Sequence, residues 1–197
     1  MNKKSVSTTI LVLFLAVFFA VIGSCFSTFV YKETRTLVEA VKIVNDESIG
    51  VYSDENLKKP VTKLKLSNMD IGLKPATGEV DAETQIPSTI DDKGTSEGYY
   101  STVYVKATGN FMITLSNIKI ESDHDEELIN AEKKNIFVGI KDLKNSVKTL
   151  ENNGVEICRY SDVSKPIKIT FLIWLGSLAS DELEGAKISF DIKFVSI

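Results

Sequence analysis

The single histidine, His124, stands in the run Glu121-Ser122-Asp123-His124-Asp125-Glu126-Glu127. Carboxylates converging at ~2.4 Å are what a hard cation such as Ca²⁺ requires. An EF-hand loop also needs a glycine at its sharp turn, which this run lacks. The same residues suit a solvated hairpin tip or a helix start, where acidic side chains oppose the partial positive charge of the helix amino end. Asp91-Asp92 and Ser53-Asp54-Glu55 are smaller acidic groups with still less to converge on. Cys158 sits between Ile157 and Arg159 in a strand-like run with no histidine near it in sequence, so it reads as a small buried apolar residue and not as a nucleophile. No H-E-x-x-H, G-x-S-x-G, glycine-rich phosphate loop or C-x-x-C occurs. A Ser–His–Asp triad would have to recruit His124 out of an acidic loop. The expectation is a protein with no catalytic, cofactor-binding or metal-ligating residues, not an enzyme.

The elements that carry these residues begin with an export segment. Thr9 to Tyr31 contains no charged residue, and only Lys3, Lys4 and the amino terminus are charged before it. At ~1.5 Å per residue a helix of that length matches the ~30 Å hydrocarbon core of a bilayer. Lysines on the short leading side favour keeping it in the cytoplasm and exporting the remainder. Three readings of the segment compete. A signal-anchor suits the uninterrupted apolar run Ile10 to Ile22, which continues through Phe26, Phe29, Val30 and Tyr31. Cleavage after Ser24 or Ser27 suits the small residues there. Lipidation suits Val21-Ile22-Gly23-Ser24-Cys25, which resembles a permissive bacterial lipobox with Cys25 as the acylated thiol. All three deliver the chain from about Lys32 onward to the outside.

Composition narrows the partners. All 27 acidic residues and all but two of the 23 basic ones lie beyond the apolar segment, which makes the exported part mildly acidic. Such a surface argues against a nucleic-acid ligand, which wants clustered Lys and Arg. The remaining partners are the membrane, through the amino-terminal helix, and other envelope or surface proteins; no small-molecule substrate is identifiable. About 165 residues suffice for one core of ordinary size. Cys25 lies in the apolar segment and Cys158 alone beyond it, so the exported part has no internal disulfide.

The pattern divides the chain into 1–31, cytoplasmic tip and membrane segment; 32–48, juxtamembrane; and 49–197, an extracytoplasmic β-sandwich domain. Lys32 to Ser48 is ambiguous between helical and strand periods, with a first strand expected at Val41 to Val44. Gly50 to Tyr52 and Val61 to Leu66 read as strands around a polar turn, Asp54 to Pro60. Asn68 to Gly98 is long and rich in Asp, Gly, Thr and Pro, which is uncommon in a compact domain unless functional or partly disordered; Val80 or Ile86 can add an edge strand. Tyr99 to Lys106 is a strand, and Thr108-Gly109-Asn110 a turn. Phe111, Ile113 and Leu115 share one parity, Ile118 and Ile120 the other, so a β-bulge is expected at Ser116-Asn117. Leu128 to Lys133 reads as one helical turn and Ile136 to Ile140 as a buried strand. Leu143, Val147 and Leu150 are spaced like a helix face. Val155 to Tyr160 and Ile167 to Leu175 are strands, and Gly176 to Gly185 a loop or helical turn. Ile188, Phe190, Ile192 and Phe194 alternate with Ser189, Asp191 and Lys193, a half-buried strand. The sum is an all-β, antiparallel two-sheet sandwich of eight to ten strands, preceded by one transmembrane helix, with Phe171, Trp174, Phe190 and Phe194 in its core.

Three stretches resemble immunoglobulin-like β-sandwich modules of prokaryotic cell-surface proteins. Ile49 to Leu57 followed by Lys59-Pro60-Val61-Thr62 is similar to their opening strand, turn and second strand. Ser101-Thr102-Val103-Tyr104-Val105-Lys106-Ala107-Thr108-Gly109-Asn110 is similar to a hairpin they carry, and Ile188 to Ile192 to their last strand. The hairpin and closing strand also resemble exported camelysin and biofilm-matrix fibre proteins. The chain departs from the modules by the Asn68 to Gly98 insertion and from the fibre proteins by its longer apolar amino terminus. The resemblance implies a sandwich fold in an envelope setting and no numbered catalytic residue. It leaves three functions to weigh: a membrane-anchored surface, adhesion or envelope-assembly protein; a fibre subunit released by cleavage, whose Lys32 to Val44 segment adds as a strand to a neighbour; and a metal-dependent exported enzyme using His124.

Overall fold

Period-two alternation builds two packed sheets. The computed structural model describes residues 36–66, 73, 98–141 and 143–197, all within the unit 35–197. Its strands are β1 (Leu37–Asn45), β2 (Gly50–Tyr52), β3 (Gly98–Lys106), β4 (Gly109–Glu121), β5 (Ile136–Ile140), β6 (Leu143–Thr149), β7 (Glu156–Val163), β8 (Ile167–Leu175) and β9 (Lys187–Ser196). One helix, α1 (Glu126–Glu132), and two 3₁₀ turns, Lys133–Asn135 and Asp181–Leu183, complete the described part. One sheet has the order β1-β9-β4-β7 and the other β2-β3-β8-β5-β6. The apolar segment Thr9 to Tyr31 with Cys25, the acidic pair Asp91-Asp92 and the expected strands at Val80 or Ile86 lie outside the described residues. Among the described residues no helix is long and apolar enough to cross a membrane.

The two sheets share a core because each strand turns one parity inward. Ile188, Phe190, Ile192 and Phe194 of β9 are all buried, in one apolar cluster with Phe171 of β8. The Phe171 and Phe194 rings meet edge to face at 6.2 Å, and Phe111 stacks on Tyr160 at 5.0 Å. Burying a side chain of this size contributes roughly 1.5–3 kcal/mol.

Four sequence expectations are corrected. The sandwich is not wholly antiparallel: β1 runs parallel to β9, from Leu37 beside Lys187 to Asn45 beside Phe194. The stretch Ser101 to Asn110 is not a hairpin, because β3 and β4 belong to different sheets. The turn at Gly109, whose φ of 89° suits glycine, carries the chain from one layer to the other. Val61 to Leu66 forms no strand of its own, only one isolated bridge, Lys63 with Lys42, flanked by backbone hydrogen bonds to Val51, Ile43 and Val41. Finally, Leu143, Val147 and Leu150 lie on and just beyond β6 instead of on a helix. Pairing with β5 satisfies that backbone, and Ser146 locks the turn: its Oγ accepts from Ile140 N at 2.7 Å and donates to Leu143 O at 2.6 Å.

Trp174 is fully buried but belongs to a second apolar cluster with Phe137 and Leu172, apart from the inter-sheet core. Its ring stacks on Phe137 at 5.6 Å and passes over Gly139, where an added Cβ would stand 3.3 Å from the indole and 3.2 Å from Val147. The bulge in β4 falls where the parity change put it. Register shifts between Ser116 and Lys119, and Asn117 adopts φ 52°.

Candidate functional site

The acidic run around His124 is divided between a turn and a helix start. Asp125 is the N-cap of α1, its Oδ1 accepting from Glu127 N at 2.8 Å, and Glu126 and Glu127 occupy the first turn. Ser122 Oγ accepts from His124 N at 3.2 Å, and His124 Nδ1 lies 3.4 Å from a Glu182 carboxylate oxygen on an exposed surface. Among the described residues no group of three or more His, Cys, Asp or Glu is placed to hold a metal ion. Asp54 serves its own loop. Its carboxylate accepts from Lys59 N at 2.7 Å and from Lys58 N at 3.1 Å, holding Leu57 at a φ of 55°.

Cys158 faces the core edge of β7 and is half-buried. Burial, helped by the Glu156 carboxylate and opposed by a hydrogen bond with Tyr160, pushes its thiol up to about 11. Burial and Cys158 likewise push the Tyr160 hydroxyl up. A thiol so rarely ionised near neutrality is a poor nucleophile. Glu132 joins α1 to the loop before β9, accepting from Asn135 Nδ2 at 2.8 Å and Ser180 N at 3.1 Å. Burial raises its acidity constant's pKa, but these bonds outweigh it and hold the carboxyl below its usual range.

The segment that sequence reasoning placed incompletely is the first strand. Residues Leu37 to Asn45 are inserted between β9 and the stretch after β2. On one side β1 follows β9 in parallel register; on the other, Ile43 N donates to Thr62 O at 2.9 Å and Leu64 N to Val41 O at 2.9 Å. Val38, Val41 and Ile43 are buried among the core aromatics. At its start Thr36 Oγ1 donates to Leu183 O at 2.5 Å, and Thr36 also pairs with Leu73. The signal in the sequence was the spacing of Val38, Val41 and Ile43, which a bulge between Val38 and Ala40 throws out of strict alternation. Among the described residues β7 is paired only with β4 and β6 only with β5, which leaves two further edges for contact.

Compared with family models, with known proteins and with solved structures, the chain finds no match.

Proposed function

We propose that the protein is a membrane-anchored, extracytoplasmic module of immunoglobulin-like type that acts by surface contact, in adhesion or envelope assembly, without catalysis. The observation that carries this reading is the uncharged run Thr9 to Tyr31 behind Lys3 and Lys4, close ahead of a strand built into a two-sheet core. Charge asymmetry of that kind sends the following domain outward. The edges of β6 and β7 offer backbone donors and acceptors for a partner strand. Cross-linking on intact cells followed by capture of the tagged chain should recover an envelope protein. Recovery of no partner, with an unchanged envelope after deletion, contradicts the proposal.

A second reading is favoured by the seat of β1. A terminal strand that fills a gap between β9 and residues 62–64 can be supplied by a neighbouring molecule, as in β-strand addition. In that case the chain is a matrix or fibre subunit released by cleavage near Ser24 or Ser27. Mass spectrometry of the native amino terminus separates the two: a chain starting at an unmodified Cys25 or at Thr28 supports release, whereas a Cys25 carrying a lipid or an intact Met1 rules it out.

A further inference from the structure

We propose that the protein binds an extended peptide segment of a partner protein as an added strand, in a groove between the last residues of β4 and α1. The two neighbours of β4 cover it unequally. β9 pairs with it as far as Glu121, beside Lys187, whereas β7 stops at Thr114, beside Glu156. Beyond the bulge, Ile118 to Glu121 therefore have one side paired and the other open. Hydrogen bonds on both sides of the strand show which backbone groups face the opening. On the β7 side, Ile118 N donates to Asn153 Oδ1 at 3.0 Å. On β9, Ala186 O accepts from Leu37 N and Phe194 O from Asp46 N, so the even-numbered residues of β9 turn toward β1. Lys187 and Ser189 then turn toward β4 and hold Glu121 and Lys119. The N–H and C=O of Ile120 point away from β9, and no described residue pairs with them.

That edge borders a hollow of about 530 Å³, lined by Ile118 and Ile120 from the strand and by Glu126, Ile129, Asn130 and Lys133 from α1. The helix positions, three or four apart, share one face. Ile118 and Ile129 are buried and Ile120 half-buried, which gives the hollow an apolar floor. A free donor and acceptor on a strand edge above such a floor are met by an added strand: main-chain bonds give affinity, and alternate side chains enter the pocket. At ~3.4 Å per residue the open stretch accommodates about four peptide residues. Charge orients the occupant. Glu121 and Glu126 flank the four-residue turn that joins strand to helix, and Lys119 and Lys133 lie farther from it along each element. Antiparallel pairing, the more stable per residue, sets the amino-terminal part of the peptide at the glutamates and its carboxyl-terminal part at the lysines. The occupant is thus a segment with basic residues first, a β-branched apolar centre, and acidic residues last. This names a contact site for the surface-contact reading and rests on it. Peptide binding by the purified chain and membrane placement in cells are separate measurements, so either can fail alone.

The test is calorimetric titration of the full chain, in detergent, with the end-capped peptide Lys-Lys-Val-Thr-Val-Thr-Val-Glu-Glu. It should bind, and a peptide with its lysines and glutamates exchanged should bind about threefold more weakly or worse. Replacing one central amide at a time by an ester removes an N–H without adding bulk. Affinity should fall about fivefold at every second position and hardly at those between. Ile120→Pro removes an N–H that no described residue uses, so the chain should keep its cooperative melt while peptide affinity falls about tenfold or more. Lys119→Glu, at an exposed rim position, should weaken binding about threefold and carries the test should the proline disturb the strand. Absence of binding, ester effects that do not alternate, or unaltered affinity in both variants overturns the proposal. So does self-association of the free chain that Ile120→Pro abolishes, which would seat a second copy in the groove.

Discussion

Asn117 occupies a left-handed backbone conformation that most residues avoid, at a φ of 52°. Its side chain donates to Asp191 Oδ2 at 2.6 Å across to β9, and Asn153 Oδ1 accepts the neighbouring Ile118 N at 3.0 Å. Asparagine is among the few side chains that tolerate this region. Asn117→Ala should cost about 1–2 kcal/mol in urea unfolding, from lost backbone tolerance and a lost bond. Asn117→Gly, which keeps the tolerance, should cost less; equal losses would show that the conformation matters little. Cys158 gives a pH dependence with a definite sign. An unfolded thiol titrates near 9.0 and the folded one near about 11, so the unfolded chain loses its proton first. Stability from this group is complete below pH 9 and falls as pH rises toward 11. The loss of unfolding free energy between pH 8 and pH 10.5 should be smaller in Cys158→Ala, and an identical loss would contradict the assignment.

At the scale of elements, the strands with strict alternation were legible from the chain alone. β9 and β5 lie where their apolar positions required, and the bulge in β4 followed from a single change of parity. β6 was not legible, because the spacing of Leu143, Val147 and Leu150 fits a helical face and only pairing with β5 decides otherwise. The partner of β1 was hidden for a different reason: parallel pairing with the last strand leaves no local turn signal. The acidic run was legible as a helix start, whereas the contact of His124 with Glu182 depends on the loop before β9 lying beside α1, which sequence spacing does not reveal. Gly139 tests the packing of the second apolar cluster. Gly139→Leu drives a side chain into Trp174 and Val147 and should lower stability by about 1–3 kcal/mol or more, read by denaturant melts with tryptophan fluorescence. An unperturbed emission and midpoint would show that the indole does not lie over that glycine.

For the whole molecule, the inserted first strand ties stability to the described segment that follows the apolar run Thr9 to Tyr31. Removing residues up to Asn45 exposes the seat of Val38, Val41 and Ile43 and forfeits on the order of 5 kcal/mol, comparable with the net stability of a domain. The truncated chain should lose cooperative unfolding, and a synthetic peptide of residues 36–45 added in excess should restore it. A truncation that melts like the intact chain would mean that β1 is dispensable. The membrane claim has its own direct measurement. Intact cells carrying the chain with an epitope tag after Ile197 are treated with a protease that cannot cross the membrane, and the membrane fraction is probed for the tag. Loss of the tag from a membrane-bound chain is the predicted result; a tag protected until the cells are lysed contradicts the account.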